Sequence, residues 1–317
     1  MKILNTLNLK KYKAELPALK DIAFRWELKY SSNTENKTIG QISYYAVNDT
    51  PSDNCIILVP GLASNTQTEP LMQMIQYWAL SYKYDIYCID TFLGRFLPEK
   101  SQELAEKHTF AEYINLLDAG FDKIESECKA KQYNYSCLIG HSAGATSIFE
   151  IYNKRILAKK KLRFSASVMF APYTCSNFTT YIKNFYKHRY PLPNISTEEF
   201  NKVAIGMISP HETRPEGKFT YISVLPQIFD DIENVEFKPE LMDKYNIPIT
   251  LVAAGHDKKS PPEELRKKYN ILKTGKNGHL WKFVTFKDSK HSFIDQYGDW
   301  RAIIKLILSQ KKHIKKK

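Results

Sequence analysis

The chain has 317 residues, 43 % of them hydrophobic and 13 % aromatic, enough to bury a sizeable core and too much for a disordered chain. Its formal net charge is +12, yet the lysines are spread over the whole length with no nucleic-acid-binding signature, so no nucleic-acid partner is expected. No apolar run is long enough to span a bilayer, and the segment from Met1 to Lys11 lacks the unbroken apolar stretch of a secretory signal. The five cysteines, at 55, 88, 128, 137 and 175, are odd in number and scattered, which predicts buried thiols in a reducing cytoplasm rather than a disulfide framework. The densest basic cluster is the tail from Lys311 to Lys317, read as solvated surface, with contact to an anionic membrane surface as the functional alternative.

In chain order, Ile22–Tyr30 and Thr38–Val47 alternate and are separated by a Ser-Ser-Asn-Thr-Glu-Asn turn, which predicts an antiparallel hairpin. Cys55–Val59 is continuous and apolar, as a strand buried on both faces should be, and it ends in Pro60-Gly61-Leu62-Ala63-Ser64. A helix is expected from Glu69 to Ser81 and a second buried strand from Tyr84 to Ile89. From Thr109 to Lys129, Phe110, Ile114, Leu117, Phe121, Ile124 and Cys128 share one helical face, and Thr109 with Glu112 spells a capping box.

A short apolar run then ends in Gly140-His141-Ser142-Ala143-Gly144, and a helix-compatible segment from Ala145 to Leu157 follows at once. This pattern predicts a strand, a turn too tight for side chains at its corners, and a helix. Ser142 would be exposed at the turn, with the Ala143 N–H free at the helix N-terminus. A strand over Phe164–Ala171 comes next. From Tyr173 to Tyr245 strand-like runs give way to aromatic segments broken by prolines, read as a mostly helical insertion. Strand character resumes at Ile247–Asp257, followed by a helix from Pro262 to Asn270, a strand at Trp281–Phe286 and a last amphipathic helix at Trp300–Ser309. Strands alternating with helices predict a parallel sheet, with active groups outside the strand carboxyl ends. Of twelve glycines, Gly61, Gly94, Gly140, Gly144 and Gly255 fall at or just past predicted strand ends, concentrating backbone freedom along that edge.

The Gly140–Gly144 stretch resembles the nucleophile elbow of the α/β-hydrolase family. The resemblance spans about Ile22 to Leu308 and implies the α/β-hydrolase fold: a mostly parallel sheet flanked by helices, built from residues 1–172 and 246–317, with 173–245 as an inserted helical cap. A serine hydroxyl is a poor nucleophile until a base takes its proton, and the base needs an acid to fix its tautomer and steady its cation. The family order of nucleophile, acid and histidine then implies Ser142, Asp257 in Ala-Gly-His-Asp-Lys-Lys, and His291 in Asp-Ser-Lys-His-Ser. Asp231 and Asp243 are rival acids that precede the relevant strand. Among other histidines, His141 lies inside the elbow, where the neighbouring side chain usually points away. Oxyanion donors are implied at the N–H groups of Ala143 and Leu62, with Ala63 as the fallback because Pro60-Gly61 stands where the family commonly has His-Gly.

The implied activity is hydrolysis of a carboxylic ester or thioester through an acyl-enzyme on Ser142, with a small-molecule or acyl substrate, no cofactor and no metal. Two other readings stay open: an acyltransferase using the same acyl-enzyme, and a non-catalytic binding protein on this fold. The cap's aromatic residues are read either as an apolar channel or as the cap's own core.

Overall fold

The apolar run ending at Val59 forms an interior strand of an eight-stranded sheet in the computed structural model of the chain. The structure describes residues 24–31, 36–45, 52–62, 64–66, 69–91, 109–162, 164–173, 231–232, 235, 239–293 and 300–314. In chain order these form β1 (Phe24–Ser31), β2 (Asn36–Tyr45), β3 (Asn54–Val59), α1 (Pro70–Ser81), β4 (Asp85–Thr91), α2 (Phe110–Ala130), β5 (Tyr135–His141) and α3 (Ala143–Leu157). There follow β6 (Ala166–Phe170), β7 (Ile249–Ala254), α4 (Pro262–Lys273), β8 (Trp281–Phe286) and α5 (Trp300–Ile314).

The strand order is β1-β2-β4-β3-β5-β6-β7-β8. β1 and β2 form the expected antiparallel hairpin, and β2 pairs antiparallel with β4. Every pair from β4 to β8 is parallel. Successive residues of β3 face opposite sides: Cys55, Ile57 and Val59 join a core with α2, α3 and α4, whereas Ile56 and Leu58 join a core with α1 and α5. A strand covered on both faces has no solvent side to mark with polar residues, which is why its sequence does not alternate.

Chain direction across the sheet reverses at β3. The chain leaves β3 for β4 on one side, then crosses back to β5 on the other. Open parallel sheets hold their sites in the crevice beyond the strand carboxyl ends at such a switch point. Here that crevice lies between the loops after β3 and β5.

The capping box at α2 forms as expected: Thr109 N donates to Glu112 Oε2 at 2.7 Å and Glu112 N donates to Thr109 Oγ1 at 3.3 Å. Residues 174–230 of the expected cap lie outside the described residues. Tyr173, Ile232, Val235, Leu241 and Tyr245 pack into the core on the α3 side, and Tyr245 O–H donates to Asn153 Oδ1 at 2.6 Å. Cys55, Cys88, Cys128 and Cys137 are free thiols, while Cys175 lies outside the described residues. Among the described residues, no helix is long and apolar enough to cross a membrane.

Candidate active site

The turn from β5 into α3 fits only because two of its residues lack side chains. A Cβ on Gly140 would stand 2.7 Å from Ala145 Cα, and one on Gly144 would stand 2.3 Å from Pro60 O and 2.6 Å from Val59 O. Such distances are shorter than non-bonded contact allows, so α3 comes this close to β5 and the loop after β3 only with glycine at both positions. Ser142, between them, takes φ 53° and ψ −125°. That conformation costs about 1–3 kcal/mol in a non-glycine residue and persists where the surroundings over-determine it. Two backbone bonds do so: Ser142 N donates to Phe170 O at 2.8 Å, and Ser142 O accepts from Thr146 N at 3.1 Å.

Three side chains far apart in sequence meet at this turn. His291 Nε2 lies 2.9 Å from Ser142 Oγ, and His291 Nδ1 lies 2.7 Å from Asp257 Oδ2. The Asp257 side chain is fully buried, and its other oxygen, Oδ1, accepts the N–H groups of Lys259 at 2.8 Å and Ser260 at 3.0 Å. With those donors fixing the carboxylate, Oδ2 is left to face the imidazole. Burial pushes the His291 pKa below the ordinary value; the bond and charge of Asp257 work against that shift, and the neighbouring His141 and Lys259 reinforce it. The ring is therefore neutral at pH 7, donating Nδ1–H to Asp257 and accepting the Ser142 hydroxyl at Nε2. Tyr173, the first residue after the Pro172 that follows β6, stacks on this ring at 5.7 Å and 26°.

The rival acid Asp243 is engaged elsewhere. Asp243 accepts from Lys276 N and anchors the turn after α4, Asn277 Nδ2 donating to its backbone O at 2.7 Å. Gly61 sits directly behind the serine, since a Cβ there would lie 3.1 Å from Ser142 Cβ. Leu62 follows it at the same crevice, and Ala143 is the first residue of α3, whose N–H has no partner one turn earlier in the helix. Ala63 lies outside the described residues.

Sequence reasoning missed Glu69 and the role of His141. The His141 ring does not point away from the site: its centroid is 5.0 Å from that of His291, its Nε2 lies 2.8 Å from His291 O, and its Nδ1 contacts Glu69 Oε1. Glu69 Oε2 in turn accepts Gly61 N and Ser64 O–H, both at 2.8 Å. The one signal for Glu69 was Pro70, the first residue of α1. Proline suits the first helical position and leaves the residue before it outside the helix, with its side chain available to the loop. Among the described residues, no cluster of three or more His, Cys, Asp or Glu side chains could hold a metal ion.

Solved structures share this fold over most of the chain. An esterase of Pyrococcus furiosus aligns with a TM-score of 0.55 over 92 % of this chain and 93 % of its own, at 14 % identity. The α/β-hydrolase fold is the architecture of this chain. Est1E of Butyrivibrio proteoclasticus, solved with ferulic acid bound, is similar at a TM-score of 0.56 over 89 % of this chain and 98 % of its own, at 15 % identity. A monoacylglycerol lipase of Paleococcus ferrophilus is similar at 0.51, over 85 % and 98 %, at 16 % identity. No protein-family model and no curated protein matches the chain. At these identities the likeness establishes the α/β-hydrolase architecture alone.

Proposed function

We propose that the chain is a serine hydrolase that cleaves carboxylic esters or thioesters through an acyl-enzyme on Ser142. The observation that carries this reading is the unbroken hydrogen-bond chain from Asp257 through His291 to Ser142 Oγ, with both contacts at 2.9 Å or less. In the proposed reaction His291 Nε2 takes the hydroxyl proton as Ser142 Oγ bonds to the carbonyl carbon. Asp257 steadies the imidazolium and keeps the Nδ1–H tautomer. The carbonyl oxygen becomes an oxyanion facing the N–H groups of Leu62 and Ala143, next to the positive end of the α3 dipole. His291 then protonates the leaving alcohol or thiol, the tetrahedral intermediate collapses, and a water deprotonated by the same imidazole releases the acid and restores Ser142. No step calls for a cofactor.

The similar solved proteins include esterases, a thioesterase domain and a monoacylglycerol lipase, which is consistent with an acyl substrate. Within the expected insertion 173–245, residues 174–230 are proposed to cover the substrate, with Tyr173 against the base as the boundary between cover and chemistry, whereas Ile232, Val235, Leu241 and Tyr245 belong to the core on the α3 side. The free thiols of the described cysteines fit a cytoplasmic setting.

A series of p-nitrophenyl esters of increasing acyl length, run on wild type and on Ser142→Ala, tests the activity. Turnover of some chain length by wild type and none by the variant is expected. Equal rates from the two proteins, or no turnover across the series, would overturn the reading.

A further inference from the structure

Behind the Ser142–His291 contact lies a charged pair that the reaction above does not use. His141 and Glu69 meet with side chains each 6 % exposed. His141 Nε2 faces the backbone oxygen of His291, which can only accept, so Nε2 carries a proton. Its Nδ1 faces Glu69 Oε1, while Gly61 N–H and Ser64 O–H occupy Oε2. Both ring nitrogens thus point at acceptors, the arrangement of an imidazolium paired with a carboxylate. The titration behaviour agrees. Burial alone would raise the Glu69 pKa and lower that of His141, yet the attraction and hydrogen bonding between them reverse both shifts.

The connectivity of this pair is what suggests its use. Glu69 holds the loop after β3, through Gly61 and Ser64. His141 holds the loop after β8, through the His291 carbonyl. Those two strands are separated in the sheet by β5, β6 and β7. We propose that Glu69 and His141 are positioning residues whose ion pair couples the loop bearing Gly61 and Leu62 to the loop bearing His291, keeping both in register about Ser142. This rests on the serine-hydrolase reading. A buried ion pair gains little stability over well-packed apolar residues of the same volume. What apolar residues would lack is the directional bonds to Gly61 N–H and to the His291 carbonyl.

The pair also acts on the base through space. Among the described residues, the titratable and charged groups facing His291 are Asp257, His141 and Lys259, with Glu69 one step behind His141. A positive His141 makes the His291 ring harder to protonate.

Glu69→Gln tests this with little change of shape. The amide oxygen still accepts from Gly61 and the amide nitrogen still faces His141, but His141 loses the charge that keeps it protonated. We expect kcat to fall by about tenfold with KM within about twofold, because the loss is one of alignment at the reacting atoms. The acid limb of kcat/KM should move to higher pH by at least about half a unit, since a neighbouring cation has gone. The double variant Glu69→Gln/His141→Gln should show the same limb as the single one. Rates are expressed per serine titrated with a fluorophosphonate, so that loss of folded protein does not count.

Wild-type kcat and acid limb in Glu69→Gln would overturn the proposal, leaving only a structural pair. Should Glu69→Gln fail to fold, Ser64→Ala reads the same chain from its loop end. It is expected to lower kcat by about threefold at unchanged KM, and an unchanged kcat would overturn the coupling. A wild type that neither labels nor turns over would instead bring down the hydrolase reading, and this proposal with it.

Discussion

Gly61 and Ser142 stand back to back: a Cβ at position 61 would lie 3.1 Å from the serine Cβ. The loop expected to receive the oxyanion is therefore in contact with the residue expected to generate it. Gly61→Ala should push the two apart by a few tenths of an ångström and slow fluorophosphonate labelling by about tenfold. The measured quantity is the pseudo-first-order labelling rate, with thermal unfolding as the control for folding. An unchanged rate would contradict the proposed placement of the oxyanion donors.

Gly144→Ala should be far more damaging. Its methyl group would meet the Pro60 oxygen at 2.3 Å and the Val59 oxygen at 2.6 Å, and backbone cannot step aside as a side-chain tip can. We expect a loss of about 3 kcal/mol in urea unfolding, at the upper end of overpacking costs. Wild-type stability would show that α3 does not approach β3 this closely.

Asp257→Asn should keep the fold and lose the chemistry. The amide oxygen can still accept from Lys259 N and Ser260 N, now 2.8 and 3.0 Å from Oδ1. The amide nitrogen would then donate to His291 Nδ1, forcing the ring proton onto Nε2, where it blocks acceptance from Ser142. A fall in kcat of about 10³- to 10⁴-fold is expected. Steady-state kinetics within tenfold of wild type would remove Asp257 from the mechanism.

The pH profile follows from the base. His291 must be neutral to take the serine proton, and its pKa lies below the ordinary 6.5 because burial and the neighbouring positive charges disfavour the imidazolium. Activity should therefore hold as pH falls through 6.5 and decline only below it, at the lowered pKa. A kcat/KM acid limb with its midpoint above 6.5 would contradict this environment for the ring.

Asp90, at the end of β4, predicts a stability effect of opposite sign to most carboxylates. Burial pushes its pKa up to about 6, against the stabilising bonds from Thr66 N at 2.8 Å and Thr66 Oγ1 at 2.9 Å. A folded pKa above the unfolded value near 3.8 means that the folded state holds the proton more tightly. The penalty is absent below 3.8 and grows until pH passes about 6. Asp90→Asn should thus gain about 3 kcal/mol at pH 7.5 and almost nothing at pH 3.5. Urea unfolding at the two values checks it, and an equal effect at both would contradict the assignment.

The elbow was legible because its chemistry is local: a buried strand, two glycines whose side chains would collide, and a helix. Asp257 and His291 were legible through order, each following a strand. Their meeting with Ser142 depends on β7 and β8 lying beyond β6 in the sheet. Glu69 and His141 were not legible as partners, because their contact arises only where β3 and β5 become neighbours. No spacing along the chain encodes that adjacency. The reading of α5 stopped at Ser309, where apolar periodicity ends, yet the helix runs to Ile314. Lysines are good helix formers, and Lys311 Nζ ties the added turn to Asn54 Oδ1 at 2.8 Å.

The most direct test of the central claim is intact-mass and peptide-mapping analysis of the wild-type protein after reaction with a fluorophosphonate. The account predicts one phosphonyl adduct per chain, mapped to Ser142, and none on Ser142→Ala. An unmodified wild type beside a labelled control hydrolase, or an adduct on any other residue, would contradict it.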